Sequence, residues 1–365
     1  MKSKLASAPA NHPEIKINWK KYTLQFKHPV GTSRGTLINR DIWFIILTDK
    51  KGTMGIGECA PLQGISIDNL AAIENKLEQI RRNPVPFLLE PEKHLSGFPA
   101  LFFALETALL DLDQGGKRIL FASDFTAGAA SIPINGLIWM GDYDFLSKQV
   151  EQKLSDGWQC LKIKIGGLDF NRELELLRHI RTGFNAEQLE LRVDANGAFT
   201  ADEAMGKLDK LASFNLHSIE QPIKPEQTKA LKALCRDSPV PVALDEELVG
   251  KRDKRSLEKF FDEVSPAYIV LKPSLLGGFK QCGQLIKLAE DRNIGFWITS
   301  SLESNIGLNA LAQWTYTLDC PGFQGLGTGR LFKNNIPSPL TVYKGSIRMA
   351  TDRPWNINSF NLVNF

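Results

Sequence analysis

A (β/α) barrel preceded by a smaller α+β domain is the fold class this chain predicts, from two observations. The first is a series of charged residues at nearly constant spacing. Lys162 and Lys164 open it, Asp194, Glu220 and Asp245 follow at separations of 26 and 25 residues, and Lys272 closes it 27 residues later. Each ends a short apolar run and precedes a polar or turn-forming stretch, and one strand-plus-helix unit occupies roughly 25–30 residues. The second observation is length. At 365 residues the chain exceeds the ~250 of a bare barrel, which leaves room for another domain.

Residues 14–58 read as strands. Ile15–Leu24, Gly35–Asn39 and Ile42–Thr48 are rich in β-branched and aromatic side chains, and Met54–Cys59 follows a hairpin-like turn at Asp49–Gly52. Between the first two lies a polar, glycine-bearing loop, 28–35, which reads as a lid and carries Thr32 and Ser33. Ile67–Arg82 and Ala100–Leu112 have helical apolar spacing. A β-meander followed by helices predicts an α+β domain over 1–125.

From Ile132 the pattern becomes alternating strand and helix, defining a barrel over 126–330. The predicted strands are Ile132–Ile138, Cys160–Ile165, Leu189–Asp194, Ser218–Gln221, Val242–Asp245, Tyr268–Lys272, Gly295–Ser300 and Phe323–Gly327. Asn171–Arg181, Ala201–Phe214, Gln227–Arg236 and Phe279–Arg292 are predicted helices between them. The Pro- and Asn-rich tail, 331–365, is expected to pack back on the first domain.

Strand parity supports the barrel independently. Lys162 and Lys164 share one face of their strand while Leu161, Ile163 and Ile165 take the other. Arg192 likewise shares a face with Asp194, and Val270 with Lys272. Polar residues thus face the barrel axis near its mouth, where barrel enzymes do their chemistry. By the same rule Glu246 turns away from Asp245.

Three carboxylates from adjacent strands cannot all ionise without a counter-charge. Hard oxygen ligands with room for water and substrate suit Mg²⁺ better than zinc. The alternative is that the acids simply neutralise Lys162, Lys164 and Lys272. Crowded cations could bring a lysine from ~10.4 to roughly 7–8, as a general base requires, while the carboxylates push the other way. Asn196, two residues past Asp194, reads as a ligand to metal-bound water or substrate, or as a turn residue. Gln221 could orient a lysine. Ser300 and Ser301 could hold a substrate carboxylate, and the Gly325–Arg330 run reads as a tight turn.

Bulk properties narrow the partners. A net charge of +3 with no basic stripe predicts no nucleic acid. The longest apolar run, Ile42–Leu47, is too short to span a bilayer. Five scattered cysteines without a C-x-x-C pair, and no signal-like N-terminus, predict reduced thiols in the cytoplasm. A homo-oligomer is left open.

Lys162-x-Lys164, Asp194-x-Asn196, Glu220-Gln221-Pro222, Asp245-Glu246 and Lys272-Pro273 resemble, in order and spacing, the motif set of the enolase superfamily in its muconate-lactonizing branch. Gly57-Glu58-Cys59-Ala60-Pro61-Leu62, Ala104–Ala108 and Ser300–Ser304 are similar to stretches of the o-succinylbenzoate synthase family within it. The resemblance implies an α+β capping domain on a modified (β/α)₇β TIM barrel, with Mg²⁺ (Mn²⁺ as a substitute) on Asp194, Glu220 and Asp245. It implies syn loss of water from a small carboxylate, 2-succinyl-6-hydroxy-2,4-cyclohexadiene-1-carboxylate, through a metal-stabilised enediolate, giving 2-succinylbenzoate for menaquinone. Lys164 would be the base and then the acid. Lys272 would stabilise the anion, Lys162 would tune Lys164, and the Thr32–Gly35 and Ala60–Gly64 segments would close over the succinyl chain. Two lysines also suit an N-acylamino acid racemase or dipeptide epimerase, and a non-catalytic ligand-binding barrel is a further alternative.

Overall fold

The computed structural model describes residues 15–32 and 35–357. Three antiparallel strands open the chain: β1 (Lys16–Thr32), β2 (Gly35–Thr48) and β3 (Met54–Cys59), in the order β1-β2-β3. The segments expected as Gly35–Asn39 and Ile42–Thr48 are one strand. Arg40 and Asp41, the gap between them, pair in register with Leu24 and Thr23. The expected loop at 28–35 is instead the tip of a long hairpin. Val30, Gly31 and Thr32 pair with Leu37, Thr36 and Gly35 after a register shift beyond Gln25. Backbone pairing there overrides the turn-forming composition. Ser33 lies outside the described residues, and of Thr32 only the backbone is described.

Helix α1 (Ile73–Arg82), two short helices, α2 (Val85–Leu89) and α3 (Pro91–His94), and α4 (Pro99–Asp113) complete this part. Ile73, Leu77 and Ile80 recur at helical spacing and face one side of the sheet beside Trp43, Ile45 and Leu47. α4 is apolar nearly all round because it is covered on all sides, by β3 and by the barrel. Gly57 permits that contact, since a Cβ there would lie 1.8 Å from the Ala104 carbonyl oxygen.

The predicted strand Ile132–Ile138 is two strands. β4 (Ser131–Pro133) is the edge of a small antiparallel sheet, and β5 (Gly136–Ile138) starts the barrel. Pro133, with no amide to donate, fits only such an edge. The barrel continues through α5 (Tyr143–Ser155), β6 (Cys160–Lys164), α6 (Phe170–Gly183), β7 (Glu190–Asp194), α7 (Ala201–Ala212), β8 (Ser218–Glu220) and α8 (Thr228–Asp237). It ends with β9 (Val242–Leu244), α9 (Lys254–Val264), β10 (Tyr268–Leu271), α10 (Pro273–Leu276), α11 (Gly278–Glu290), β11 (Gly295–Ile298) and α12 (Asn305–Thr317). Side-chain oxygens cap several of these helices; Thr200 and Glu203 form a reciprocal capping box on α7.

Seven parallel strands run in the order β11 to β5. The eighth staves, residues 323–327, form no continuous strand. They close the cylinder by single bridges, Gln324 to Ile134 and Gly325 to Thr299, and the Gln324 side chain accepts the Ile298 amide at 2.9 Å. Leu161, Ile163, Leu191, Val193, Ile219 and Leu244 face the helical shell, and Ala243, Val270 and Trp297 fill the inside of the barrel. The tail divides. Lys27 N–H donates to Leu331 and Lys333 N–H to Gln25, alongside β1. β12 (Leu340–Tyr343) and β13 (Ser346–Met349) then pair with β4 instead. A third apolar cluster, including Phe26, Phe44, Leu302, Ile306 and Phe332, joins the first sheet to the barrel mouth. Each such large side chain contributes ~1.5–3 kcal/mol on burial, so the joint is a packed core.

Candidate active site

The strand ladder brings the charged series into one layer. Lys164 pairs with Asp194 in the β6–β7 register, Asp194 with Glu220 in β7–β8, and Asp245 follows the last residue of β9. All three acids are buried. Lys162 Nζ lies 2.8 Å from Asp194 Oδ2 and 2.5 Å from Glu220 Oε2. Lys164 Nζ donates to Asp194 Oδ2 and to Asn196 Oδ1, both at 2.6 Å. Lys272, from β10 across the mouth, pairs with Asp245.

Charge governs these groups. Burial works to raise the Asp194 carboxyl, but Lys162 and Lys164 overcome it and hold it far below the usual carboxylate range. Burial raises Glu220 well above its ordinary value, and the neighbouring Asp194 charge adds to that. Burial would lower Lys162 and Lys272; instead the carboxylates raise both, Asp194 and Glu220 acting on Lys162, Asp245 and Glu220 on Lys272. Of the two opposed effects the sequence left open, the carboxylates prevail at Lys162 and Lys272: the acids outweigh the mutual repulsion of the cations.

The donor set suits a hard divalent ion. Lys162 neutralises Glu220 Oε2 alone, and the buried Oε1 has no hydrogen-bond partner. Such a group needs a cation or donor. As the side chains stand, ammonium groups separate the carboxylates, and no three acidic, histidine or cysteine side chains among the described residues are arranged to hold a metal. Holding an ion on Asp194, Glu220 and Asp245 requires Lys162 to move aside.

Lys162, Lys164, Asn196 and Lys272 open on a cavity of about 930 Å³, lined also by Leu37, the 62–65 loop, Leu137, Trp139, Ser300, Ser301 and Leu302. Residues 146–354 match the enolase C-terminal domain-like family. The o-succinylbenzoate synthase of Desulfotalea psychrophila (strain LSv54 / DSM 12343) is 47% identical over 368 residues, covering 92% of this chain and 99% of that protein. The chain belongs to the o-succinylbenzoate synthase family of the enolase superfamily. The crystal structure of MenC from D. psychrophila LSv54 superposes with a TM-score of 0.81 at 43% identity, covering 92% of this chain and 99% of that one. The L-Ala-D/L-Glu epimerase of Bacillus subtilis, solved with substrate, shares the fold at TM-score 0.77 and 21% identity, covering 93% and 96%.

Against the enolase-superfamily pattern, several side chains stand elsewhere than parity or composition suggested. Arg192 does not line the cavity. It stacks on Trp297, donates to the Phe323 carbonyl at 3.0 Å and pairs with Glu190 at 2.7 Å, below the mouth, because it lies one pleat repeat earlier than Asp194. Gln221 touches no lysine; its Oε1 accepts the Asp245 and Glu247 amides at 3.2 Å, fixing the end of β9. Glu246 is buried and lines the cavity, its Oε1 accepting from Asn196 Nδ2 at 2.9 Å and its Oε2 unpartnered. Parity misplaced it because β9 ends at Leu244 and a 3₁₀ turn follows. Asn196, at φ +45°, bridges Lys164 and Glu246.

Ser300 and Ser301 differ in role. The Ser300 hydroxyl donates to Glu303 and meets Thr328 Oγ1, each at 2.6 Å. The Ser301 hydroxyl is buried, on the cavity wall, with no partner. Composition missed Arg40, Glu58 and Glu303, all buried. For Arg40 the available signal was a charge next to the apolar Ile42–Leu47 run, in the gap left between the strands expected at Gly35–Asn39 and Ile42–Thr48.

Proposed function

We propose that the chain catalyses syn dehydration of 2-succinyl-6-hydroxy-2,4-cyclohexadiene-1-carboxylate to 2-succinylbenzoate, as a carbon–oxygen lyase serving menaquinone synthesis. The observation that carries this choice of substrate is the near full-length match to the Desulfotalea synthase. The site chemistry supports it. Asp194, Glu220 and Asp245 would hold a divalent ion, Mg²⁺ with Mn²⁺ as a substitute, which when bound supplies positive charge to the substrate carboxylate.

Lys164, as the free amine, takes the proton from the carbon bearing the carboxylate. The C–H electrons form the ring double bond, the C–O bond breaks, and the same ammonium returns its proton to the hydroxyl leaving as water. Asn196 and Glu246 set the position of Lys164 through the Lys164–Asn196–Glu246 chain of hydrogen bonds. Lys272 faces the same space from β10 and keeps its positive charge over the anion, as its raised protonation range allows. Ser301 offers an unused hydroxyl, and the 62–65 loop with Leu37 roofs the cavity against water.

We assign 1–125, joined by the start of the 331–365 tail, to a cap, and 126–330, against which β12 and β13 pack, to the catalytic barrel. A cytoplasmic setting is supported by five free cysteines. Among the described residues no helix is long and apolar enough to cross a membrane. A second reading, racemisation of N-succinylamino acids, is favoured by one observation, lysines on both sides of the site. Assays of the purified enzyme with Mg²⁺ on both substrates separate the two. Efficient aromatisation of the cyclohexadiene carboxylate is expected; efficient turnover of N-succinylamino acids alone would overturn the choice.

A further inference from the structure

Ser301, which lines the cavity and whose buried hydroxyl has no hydrogen-bond partner, is held in place from another part of the chain. Arg40, buried in the middle of β2, donates to the carbonyl oxygens of Ser301 and Ala60, and to that of Pro61 at 3.4 Å. One guanidinium therefore ties the loop after β11 to the loop after β3, and both loops line the cavity. Other groups of the 300–304 loop are hydrogen-bonded as well. Glu303 accepts from the hydroxyls of Ser274 and Ser300 and from the Ser301 amide at 2.7 Å. Ser274 lies two residues beyond Lys272, so the same carboxylate joins the β10 end to this loop. Glu58, next to Cys59 at the end of β3, accepts the Ser304 and Gly307 amides at 2.7 and 2.8 Å. Leu302 sits at φ +64°, a conformation a branched side chain adopts only when its surroundings impose it.

We propose that Arg40 is a positioning residue for substrate binding: it sets the Ser301 hydroxyl against the succinyl arm and locks the cap loop 60–65 over it. The inference rests on the dehydratase reading above for the identity of that arm. Arg40 acts through Ser301 and never touches the reacting atoms, which belong to the lysines on β6 and β10. Its loss therefore raises KM and spares kcat, the signature of binding shared by ground and transition states. Because Arg40 supports Ser301, losing both costs little more than losing either.

A double-mutant cycle of Arg40→Met and Ser301→Ala, read in KM and kcat for the cyclohexadiene carboxylate, tests this. Each single variant is expected to raise KM about tenfold with kcat within about twofold, the scale of one charged or buried hydrogen bond. The double variant should stay near tenfold. Effects that multiply to about a hundredfold, or a fall in kcat with KM unchanged, would overturn the proposal, as would a lowered Tm with unaltered kinetics. Should Arg40→Met lack a cooperative melt, Arg40→Lys, which retains one donor, is read in the same cycle with a smaller but equally non-multiplying rise. If the wild-type enzyme turns over only N-succinylamino acids, the dehydratase reading fails, and the cycle is then read in KM for those substrates.

Discussion

Lys162 illustrates how a residue's protonation is set by its neighbours. Its ammonium lies between Asp194 and Glu220, both buried, and each additional carboxylate in reach makes the proton harder to lose. We propose that Asp194, Glu220 and Asp245 together hold a divalent cation; the buried Glu220 Oε1, which has no donor and is not the oxygen paired with Lys162, supports this. Ammonium and metal are alternative ways to neutralise one set of charges. Removing divalent ions with a chelator should therefore abolish turnover while leaving the folded state intact, and Mg²⁺ should restore it. Turnover indifferent to chelation would remove the metal from the account. Parity carried the inward direction of Lys162, Lys164 and Asp194, since a period of two is enforced wherever one face is buried. It failed at Glu246, where the strand had already ended.

At the scale of elements, the loop after β11 and strand β3 are joined by Glu58. Burial pushes this carboxyl from 4.5 up to about 7, against the hydrogen bonds it accepts from Ser304 and Gly307. A carboxyl raised in the folded state binds its proton more tightly there than in the unfolded chain. Its stabilising contribution is complete below pH 4.5 and is lost as pH rises through about 7, a change of about 3 kcal/mol. Glu58→Gln should flatten that part of the profile of unfolding free energy against pH. A wild-type slope unchanged in the variant would assign the titration to another group. Helix positions were legible from apolar spacing, as at Ile73, Leu77 and Ile80. Pairing was less so. Asn39-Arg40-Asp41 carries turn-like composition, yet hydrogen bonds to β1 and the Arg40 contacts hold it extended. Long-range partners decided that stretch, and no local pattern encodes them.

Across the whole molecule, the periodic Lys-Asp-Glu-Asp-Lys series was enough to read the barrel, because one strand-and-helix unit has a nearly fixed length. The closure of the barrel by single bridges at Gln324 and Gly325 was not legible, nor was the division of the tail between β1 and β4. Both depend on contacts between distant segments. The assembled molecule places Lys164, beside Lys162 and Lys272, against the carboxylate layer and opens it to the cavity. That placement is tested by Lys164→Ala, assayed for 2-succinylbenzoate formation with saturating Mg²⁺, alongside its thermal melt. A loss of at least ~10³-fold in kcat with an unchanged melt is the predicted result, the upper range for a lost acid–base group. Turnover within about tenfold of the wild type would contradict it.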